Sequence, residues 1–120
     1  MPIVGAHVLL YTPKADETRA MLRDVLGWGF VEDAASGPGW LIFGLPPAEL
    51  GVHPTEEATS HELCLMCRDL DSTISDLRSK GVTFRGEPRT ESFGVVTTMI
   101  LPGDLEILLY EPSHESPLDI

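Results

Sequence analysis

Residues 61–82 read HELCLMCRDLDSTISDLRSKGV, and this stretch decides the fold. Side chains over 62–67 alternate as they do in a strand with one aliphatic, buried face. Asp69 is a favourable residue for the start of a helix, and Gly81 is favourable for its end. The stretch therefore predicts a strand followed by an amphipathic helix, whose apolar stripe consists of Leu70, Ile74 and Leu77.

Three further strands are predicted after this helix. They are short runs rich in β-branched and aliphatic residues, interrupted by a polar loop at 86–92. The runs lie at 82–84, 95–101 and 105–110. With the preceding strand and helix they form a predicted βαβββ unit over about residues 59–112.

The same order of elements is predicted upstream. A strand-like run at 3–11 precedes a helical stretch at 15–26, whose apolar stripe includes Met21 and Leu22. Gly27 follows the stripe and favours the end of the helix. Short strands are then predicted at 30–32, 40–43 and 49–53. The first half is therefore predicted to be another βαβββ unit, over about residues 1–55.

The two predicted units imply a single domain over residues 1–120. A polar linker at 54–60 joins them, and a loose, proline-containing tail is expected at 113–120. Each unit has a helix on one face of its sheet, so the opposite face must be buried or used for binding. We therefore predict an α+β fold in which two βαβββ modules form an open mixed β-barrel with the helices outside and a pocket inside.

Composition restricts the partners. The 120 residues carry 19 acidic and 8 basic side chains, a net charge of −11. This charge argues against nucleic acids and anionic membranes, and it favours metal ions or cationic small molecules. The sequence shows no membrane-length apolar run and no signal-peptide pattern, which predicts a cytoplasmic location. Cys64 and Cys67 fall on opposite faces of a strand and are expected to be buried free thiols.

Ionisable residues recur on one face of four predicted strands, opposite the aliphatic face. If these faces line one pocket, the carboxylates repel one another, and a divalent cation would relieve that repulsion. The alternative is that each residue is solvated. The ionisable residues are His7, Glu49, His53, Glu62 and Glu106. The candidate residues of the pocket wall are Tyr11, Trp40, His53 and Tyr110, although aromatic residues on strands are also common in simple packing.

Three motifs occur in order along the chain. They are His7 on a first strand with Leu26-Gly27 at a helix end, the stretch 61–82, and LPGDLEILLYEP at 101–112. Their order and spacing resemble the vicinal oxygen chelate superfamily, which includes glyoxalase I, bleomycin and fosfomycin resistance proteins, extradiol dioxygenases and methylmalonyl-CoA epimerase. The resemblance covers nearly the whole chain. It implies a homodimer, as do the open edge strands of the predicted barrel.

The resemblance also implies a set of metal ligands. Metal-dependent members take one ligand from the first strand and one from the last strand of each unit. Carried over to this sequence, the positions fall on His7, Glu49, Glu62 and Glu106. His53 is an alternative to Glu49 on the same face. One imidazole with three carboxylates favours Mn, Mg or Fe(II), with Ni or Zn also possible. Glu106 or Glu49 would serve as the catalytic base.

The sequence departs from the family pattern at two of these positions. The third ligand is commonly a histidine, and His61 is one residue out of register with Glu62, which turns its side chain to the other face. The fourth is commonly a glutamate, and its aligned place holds Leu108, while Glu106 lies two residues upstream on the same face. Both alternatives stay open.

Three functions are compatible with the sequence. The first is metal-dependent catalysis of the lyase, isomerase or dioxygenase type on a small molecule with vicinal oxygens. The second is metal-free binding of a small molecule, such as a cationic antibiotic, as in bleomycin resistance proteins. The third is a regulatory or subunit domain whose pocket is filled by apolar side chains. His114 and the acidic residues of the tail are expected to be solvated.

Overall fold

The computed structural model describes residues 7–52 and 54–118. Positions 3–6 of the first predicted strand, and His53, lie outside the described residues. The chain has an α+β fold, as predicted. Its elements in order are α1 (Ala15–Asp24), β1 (Phe30–Glu32), β2 (Leu41–Phe43), β3 (Cys64–Met66), α2 (Leu70–Ser79), β4 (Thr83–Glu91), β5 (Gly94–Leu101) and β6 (Leu105–Pro112), with short 3-10 turns at Ala34–Ser36 and Pro102–Asp104.

The second half forms a four-stranded mixed sheet in the order β3-β6-β5-β4. β3 pairs with β6 in parallel, and the other two pairs are antiparallel. A parallel pair requires a crossover connection, and the chain between β3 and β4 supplies it through α2. The register places Cys64 beside Leu108 and Met66 beside Tyr110. This is the βαβββ arrangement that the sequence predicts for residues 59–112.

The start of α2 is fixed by two carboxylates. Asp69 accepts a hydrogen bond from the backbone N–H of Ser72 at 3.2 Å, which confirms it as the N-cap. Glu111 accepts a hydrogen bond from the N–H of Leu70 at 2.9 Å. Because Glu111 belongs to β6, this contact ties the first turn of the helix to the strand that pairs with β3.

The hydrophobic core lies between α2 and the second sheet. Alternate residues of β5 and β6 face the apolar stripe of α2. The stripe is buried, as the sequence predicts. Full burial of one such aliphatic side chain stabilises a protein by about 1.5–3 kcal/mol. Before residue 70, Leu22 is the one buried hydrophobic side chain of the described chain. The core residues are Leu70, Ile74, Leu77, Val82, Met99, Leu101, Ile107 and Leu109.

The first half contributes α1 and a two-stranded antiparallel sheet. Phe30 of β1 lies opposite Phe43 of β2, and their ring centroids are 5.8 Å apart. Met21 and Val25 of α1 pack, partly buried, against the core of the second half. The Thr12 hydroxyl donates a hydrogen bond to the carbonyl oxygen of Pro102 at 3.1 Å. The first half is therefore attached to the second mainly through α1 and the residues that precede it.

Two predicted strands of the first half do not form in the described residues. The chain is not in a strand over 7–11 or over 49–52. A strand requires a partner for its backbone N–H and C=O groups, and in a single chain neither segment meets a free sheet edge. Leu50 and Val52 are consequently 94% and 91% exposed. The two sheets do not close into a barrel, which is consistent with the open barrel that the sequence predicts.

β4 is longer than predicted. The sequence predicts a strand at 82–84 and a polar loop at 86–92, whereas β4 runs from Thr83 to Glu91. The pairing with β5 shifts register between Arg85 and Arg89, which accommodates Pro88. An edge strand tolerates proline and a bulge because one side of its backbone needs no partner strand.

The two helices contain ten residues each. Within the described chain, no helix combines the length and the apolar character that crossing a bilayer requires.

Replacement of Gly94 by alanine should destabilise the protein strongly. Gly94 has φ +148°, and a Cβ there would lie 2.1 Å from the carbonyl oxygen of Glu111. We expect Gly94→Ala to lower the free energy of unfolding by about 2–4 kcal/mol, measured by urea titration. The matched control is Gly86→Ala, where φ is +70° and no atom lies within 4 Å of the added Cβ. Its cost should be about 1–2 kcal/mol, and equal losses would contradict the packing described for Gly94.

Candidate functional site

The candidate site lies on the face of the second sheet that turns away from α2. Residues that alternate with the core positions point to this face. Val96 is fully buried although it is not part of the core beneath α2, so other parts of the chain cover this face as well. The residues that share the face are Cys64, Met66, Val96, Thr98, Ile100, Glu106, Leu108 and Tyr110.

Glu49, Tyr110 and His114 come together at one end of this face. The Tyr110 hydroxyl lies 3.1 Å from Nε2 of His114, and the same nitrogen lies 3.8 Å from Oε1 of Glu49. The Glu49 side chain is 15% exposed. Its Oε2 is buried and has no hydrogen-bond partner among the described residues. The cluster therefore contains a carboxylate oxygen whose hydrogen-bonding capacity is unused.

The segment after β6 forms one wall of this cluster. The N–H of Ser113 donates to the carbonyl oxygen of Phe93 at 2.9 Å. The Phe93 ring meets the Tyr110 ring edge to face, with centroids 5.4 Å apart. Nδ1 of His114 lies 2.8 Å from the carbonyl oxygen of Glu115. These contacts place His114 at the edge of the site, where it remains exposed to solvent as the sequence predicts.

Two weak acids on this face, Tyr110 and Cys64, are held in their neutral forms. Burial, then the charge of Glu49, then Cys64, raises the pKa of the Tyr110 phenol. Burial, followed by the nearby Glu62, raises the pKa of the Cys64 thiol. Tyr110 therefore stays a hydrogen-bond donor at neutral pH. Cys64 stays a thiol, so the structure gives it no character of an activated nucleophile.

The four predicted metal ligands do not converge in one chain. Within residues 7–52 and 54–118, no group of three or more His, Cys, Asp or Glu side chains is placed to hold an ion. His7 and Glu62 are exposed in irregular segments before α1 and β3. Glu106 accepts a hydrogen bond from Arg85 Nη2 at 2.6 Å. Glu49 belongs to the cluster described above, so these residues as placed do not fit a single metal centre.

The alternative ligand positions lie as follows. Leu108 and Glu106 share the helix-free face of β6, two residues apart, as the alternation predicts. His61 and Glu62 are both exposed and precede β3, which begins at Cys64. The choice between them therefore stays a prediction.

The predicted residues of the pocket wall are separated. Tyr110 is in the cluster. Tyr11 is 82% exposed and makes no hydrogen bond to the cluster. Trp40 lies against α1, where the guanidinium of Arg19 stands 4.7 Å from its ring centroid. His53 lies outside the described residues.

His114 is the residue of the cluster that the sequence does not indicate. It follows the last strand, in a segment with proline and serine neighbours and no recognisable motif. The sequence offers one signal, the separation of four residues between His114 and Tyr110. That spacing indicates a contact only when the path of the chain after β6 is known.

Comparison with known proteins supports the resemblance seen in the sequence. The family model of the Glyoxalase/Bleomycin resistance protein/Dioxygenase superfamily matches residues 6–114. Among curated proteins, none matches the chain significantly.

Several solved structures share the fold. A member of this superfamily from Sphaerobacter thermophilus is 20% identical with a TM-score of 0.67, over 92% of this chain and 99% of that one. An antibiotic binding protein from Streptomyces is 22% identical with a TM-score of 0.61, over the same shares of the two chains. A lactoylglutathione lyase from Agrobacterium tumefaciens is 15% identical with a TM-score of 0.61, over 92% of this chain and 96% of that one. At these identities the likeness establishes the fold alone.

Removal of the Glu49 charge should lower the pKa of Tyr110. In a Tyr11→Phe background, Tyr110 is the one remaining tyrosine, so phenolate absorbance reports on it directly. Glu49→Gln should shift the titration to lower pH, because the neighbouring negative charge that opposes phenolate formation is gone. The pKa should stay above the ordinary value because burial remains. Glu56→Gln, in the exposed linker, is the control, and an unchanged titration in Glu49→Gln would contradict the placement of Glu49.

Proposed function

Since the chain belongs to the glyoxalase/bleomycin resistance protein/dioxygenase superfamily, we propose that it is a small-molecule-binding module for organic cations. The ligand would lie on the helix-free face of the second sheet, beside Glu49, Tyr110 and His114. The observation that carries this proposal is the buried, unpartnered Oε2 of Glu49.

A buried carboxylate oxygen without a hydrogen bond is costly, because the oxygen has lost water and gained nothing. No lysine or arginine of the described chain lies within 4 Å of the Glu49 carboxylate. His114 is the one basic side chain of the described chain within that distance. An ammonium, amidinium or guanidinium group of a ligand would supply both the missing charge and the missing hydrogen bond.

The surroundings suit an organic cation. The rings of Phe93, Tyr110 and His114 line one side of the cluster, and aromatic faces attract cations. The net charge of −11 attracts positively charged molecules over a longer range and repels anions. One of the structures with this fold is an antibiotic binding protein, which supports small-molecule binding as a function of the fold.

Calorimetric titration with bleomycin and other organic cations tests the proposal. We expect at least one cation to bind, and Glu49→Gln to weaken it about tenfold or more, because a charge-assisted hydrogen bond is lost. The control is Glu56→Gln, which removes an equal charge from an exposed part of the chain. Equal affinities for the wild type and Glu49→Gln would overturn the proposal.

Metal-dependent catalysis is the second candidate. The same Glu49 oxygen favours it, since a divalent ion would also satisfy a buried carboxylate. Its ligands would be His7, Glu49, Glu62 and Glu106, with Glu49 or Glu106 as the base and Mn, Fe(II), Ni, Mg or Zn as the ion. Because these residues do not converge within the described part of one chain, the ion would have to join residues of two copies. Near-stoichiometric metal in purified protein, lost in both His7→Ala and Glu106→Ala, would favour catalysis over binding alone.

We further propose that the protein is a homodimer. Its accessible surface is 8926 Å². A globular monomer of 13.1 kDa exposes roughly 6,400 Å². The excess of about 2,500 Å² per chain is larger than the roughly 800 Å² that each partner buries in a standard interface, so the chain has ample surface for one. The large exposed hydrophobic side chains of the described chain lie between residues 8 and 52, in the half whose predicted strands lack partners. A second copy would cover this surface and supply sheet edges for those segments.

Light scattering at micromolar concentration tests the dimer. We expect the mass of two chains for the wild type and of one chain for the double variant Leu50→Glu, Val52→Glu, because charges would be buried at the interface. The control is Glu56→Gln with Glu57→Gln, which alters the neighbouring exposed linker without introducing charge. A wild-type protein that is a strict monomer would contradict this proposal.

A further inference from the structure

The hydrogen bonds of His114 determine which atoms of the cluster donate and which accept. Nδ1 lies 2.8 Å from the carbonyl oxygen of Glu115, which can only accept, so Nδ1 carries the hydrogen. In a neutral imidazole the other nitrogen, Nε2, is then an acceptor. Its partner at 3.1 Å is the Tyr110 hydroxyl, which must donate. The backbone of the tail thus fixes the tautomer of His114, and His114 fixes the direction of the Tyr110 hydrogen bond.

No donor in this arrangement serves Glu49. The hydrogen of Tyr110 is directed to His114, and the hydrogen of His114 is directed to Glu115. Nε2 of His114 lies 3.8 Å from Oε1 of Glu49, beyond hydrogen-bond distance, and both atoms are acceptors. Oε2 has no partner among the described residues. The cluster therefore presents acceptors, and neither oxygen of the Glu49 carboxylate receives a hydrogen bond from the described residues. Oε2 is covered by the protein, so a ligand that engages both oxygens must displace the atoms that cover it.

We infer that this cluster is a subsite for a planar cation with two parallel N–H donors, an amidinium or guanidinium group carried on an aromatic ring. Two parallel N–H groups match the two oxygens of a carboxylate in a fork, whereas a quaternary ammonium group has no N–H to offer. The aromatic part of the ligand would pack along Phe93 and Tyr110, whose rings stand at 85° to each other. The inference rests on the proposed function and specifies the class of cation.

Three small aromatic probes of similar size test whether the subsite requires a positive charge and whether it also requires N–H donors. Benzamidine carries the planar N–H cation, benzyltrimethylammonium carries a cation without N–H, and benzoate carries an anion. All titrations are made at about pH 8. We expect benzamidine to bind about tenfold or more tightly than benzyltrimethylammonium, and benzoate not to bind.

Two variants test whether the Glu49 carboxylate, and not the Tyr110 hydroxyl, causes the preference for benzamidine over benzyltrimethylammonium. Glu49→Gln should abolish the difference between the two cations, because a carboxamide replaces one acceptor oxygen with a donor. Tyr110→Phe keeps the ring and should preserve the difference, because the hydroxyl donates to His114 rather than to the ligand. Glu56→Gln is the charge-matched control on the exposed linker and should behave as the wild type.

The outcomes distinguish this inference from the broader proposal. If both cations bind equally and both weaken in Glu49→Gln, the cation-binding function stands and the N–H-selective subsite is overturned. If neither of these cations binds while bleomycin or another larger cation does, the subsite is overturned and the cation-binding function stands. If no organic cation binds, both are overturned. Nitrogen NMR of His114 gives a readout that needs no ligand: the hydrogen should reside on Nδ1, and a hydrogen on Nε2 would overturn the inference by itself.

Discussion

The parallel pairing of β3 with β6 is the contact on which the rest of the structure depends. Parallel neighbours cannot be joined by a tight turn, so the intervening chain must cross one face of the sheet, and α2 does so. The helix buries the aliphatic half of every strand beneath it, and Glu111 secures its first turn to β6. The opposite face of the same strands carries a mixture of aliphatic, polar, sulfur-containing and aromatic side chains. The site is a consequence of the crossover.

Sequence patterns anticipated the second half well because its elements are local and self-contained. Asp69 and Gly81 mark the helix by short-range chemistry, and the stripe of α2 needs only its own sheet. The first half was less predictable. Residues 7–11 and 49–52 carry the alternation of strands, yet alternation describes how a strand would expose its side chains and not whether a partner edge exists. Pairing is a long-range condition, and the pattern within a segment contains no information about it.

The candidate site shows the same division. Glu49 and Tyr110 were identified by alternation and resemblance, and the structure brings them near each other. The pairing of Arg85 with Glu106 does not follow from the sequence pattern, since it joins β4 to β6 across β5, and the pattern predicts a shorter β4. His114 carries no signal that the sequence alone can resolve, because its position depends on the turn after β6. The face on which a side chain lies can be predicted from alternation within one strand, whereas contacts between distant segments cannot.

The uneven distribution of the hydrophobic core determines where the chain can tolerate substitutions. Nearly all fully buried hydrophobic side chains of the described chain lie after residue 69, whereas the segment that delivers Glu49 belongs to the weakly packed first half. Substitutions there can alter recognition while the folded state is maintained by other residues. The molecule separates the residues that provide most of its stability from the segment that delivers Glu49, which lets that segment change without first acquiring a new fold.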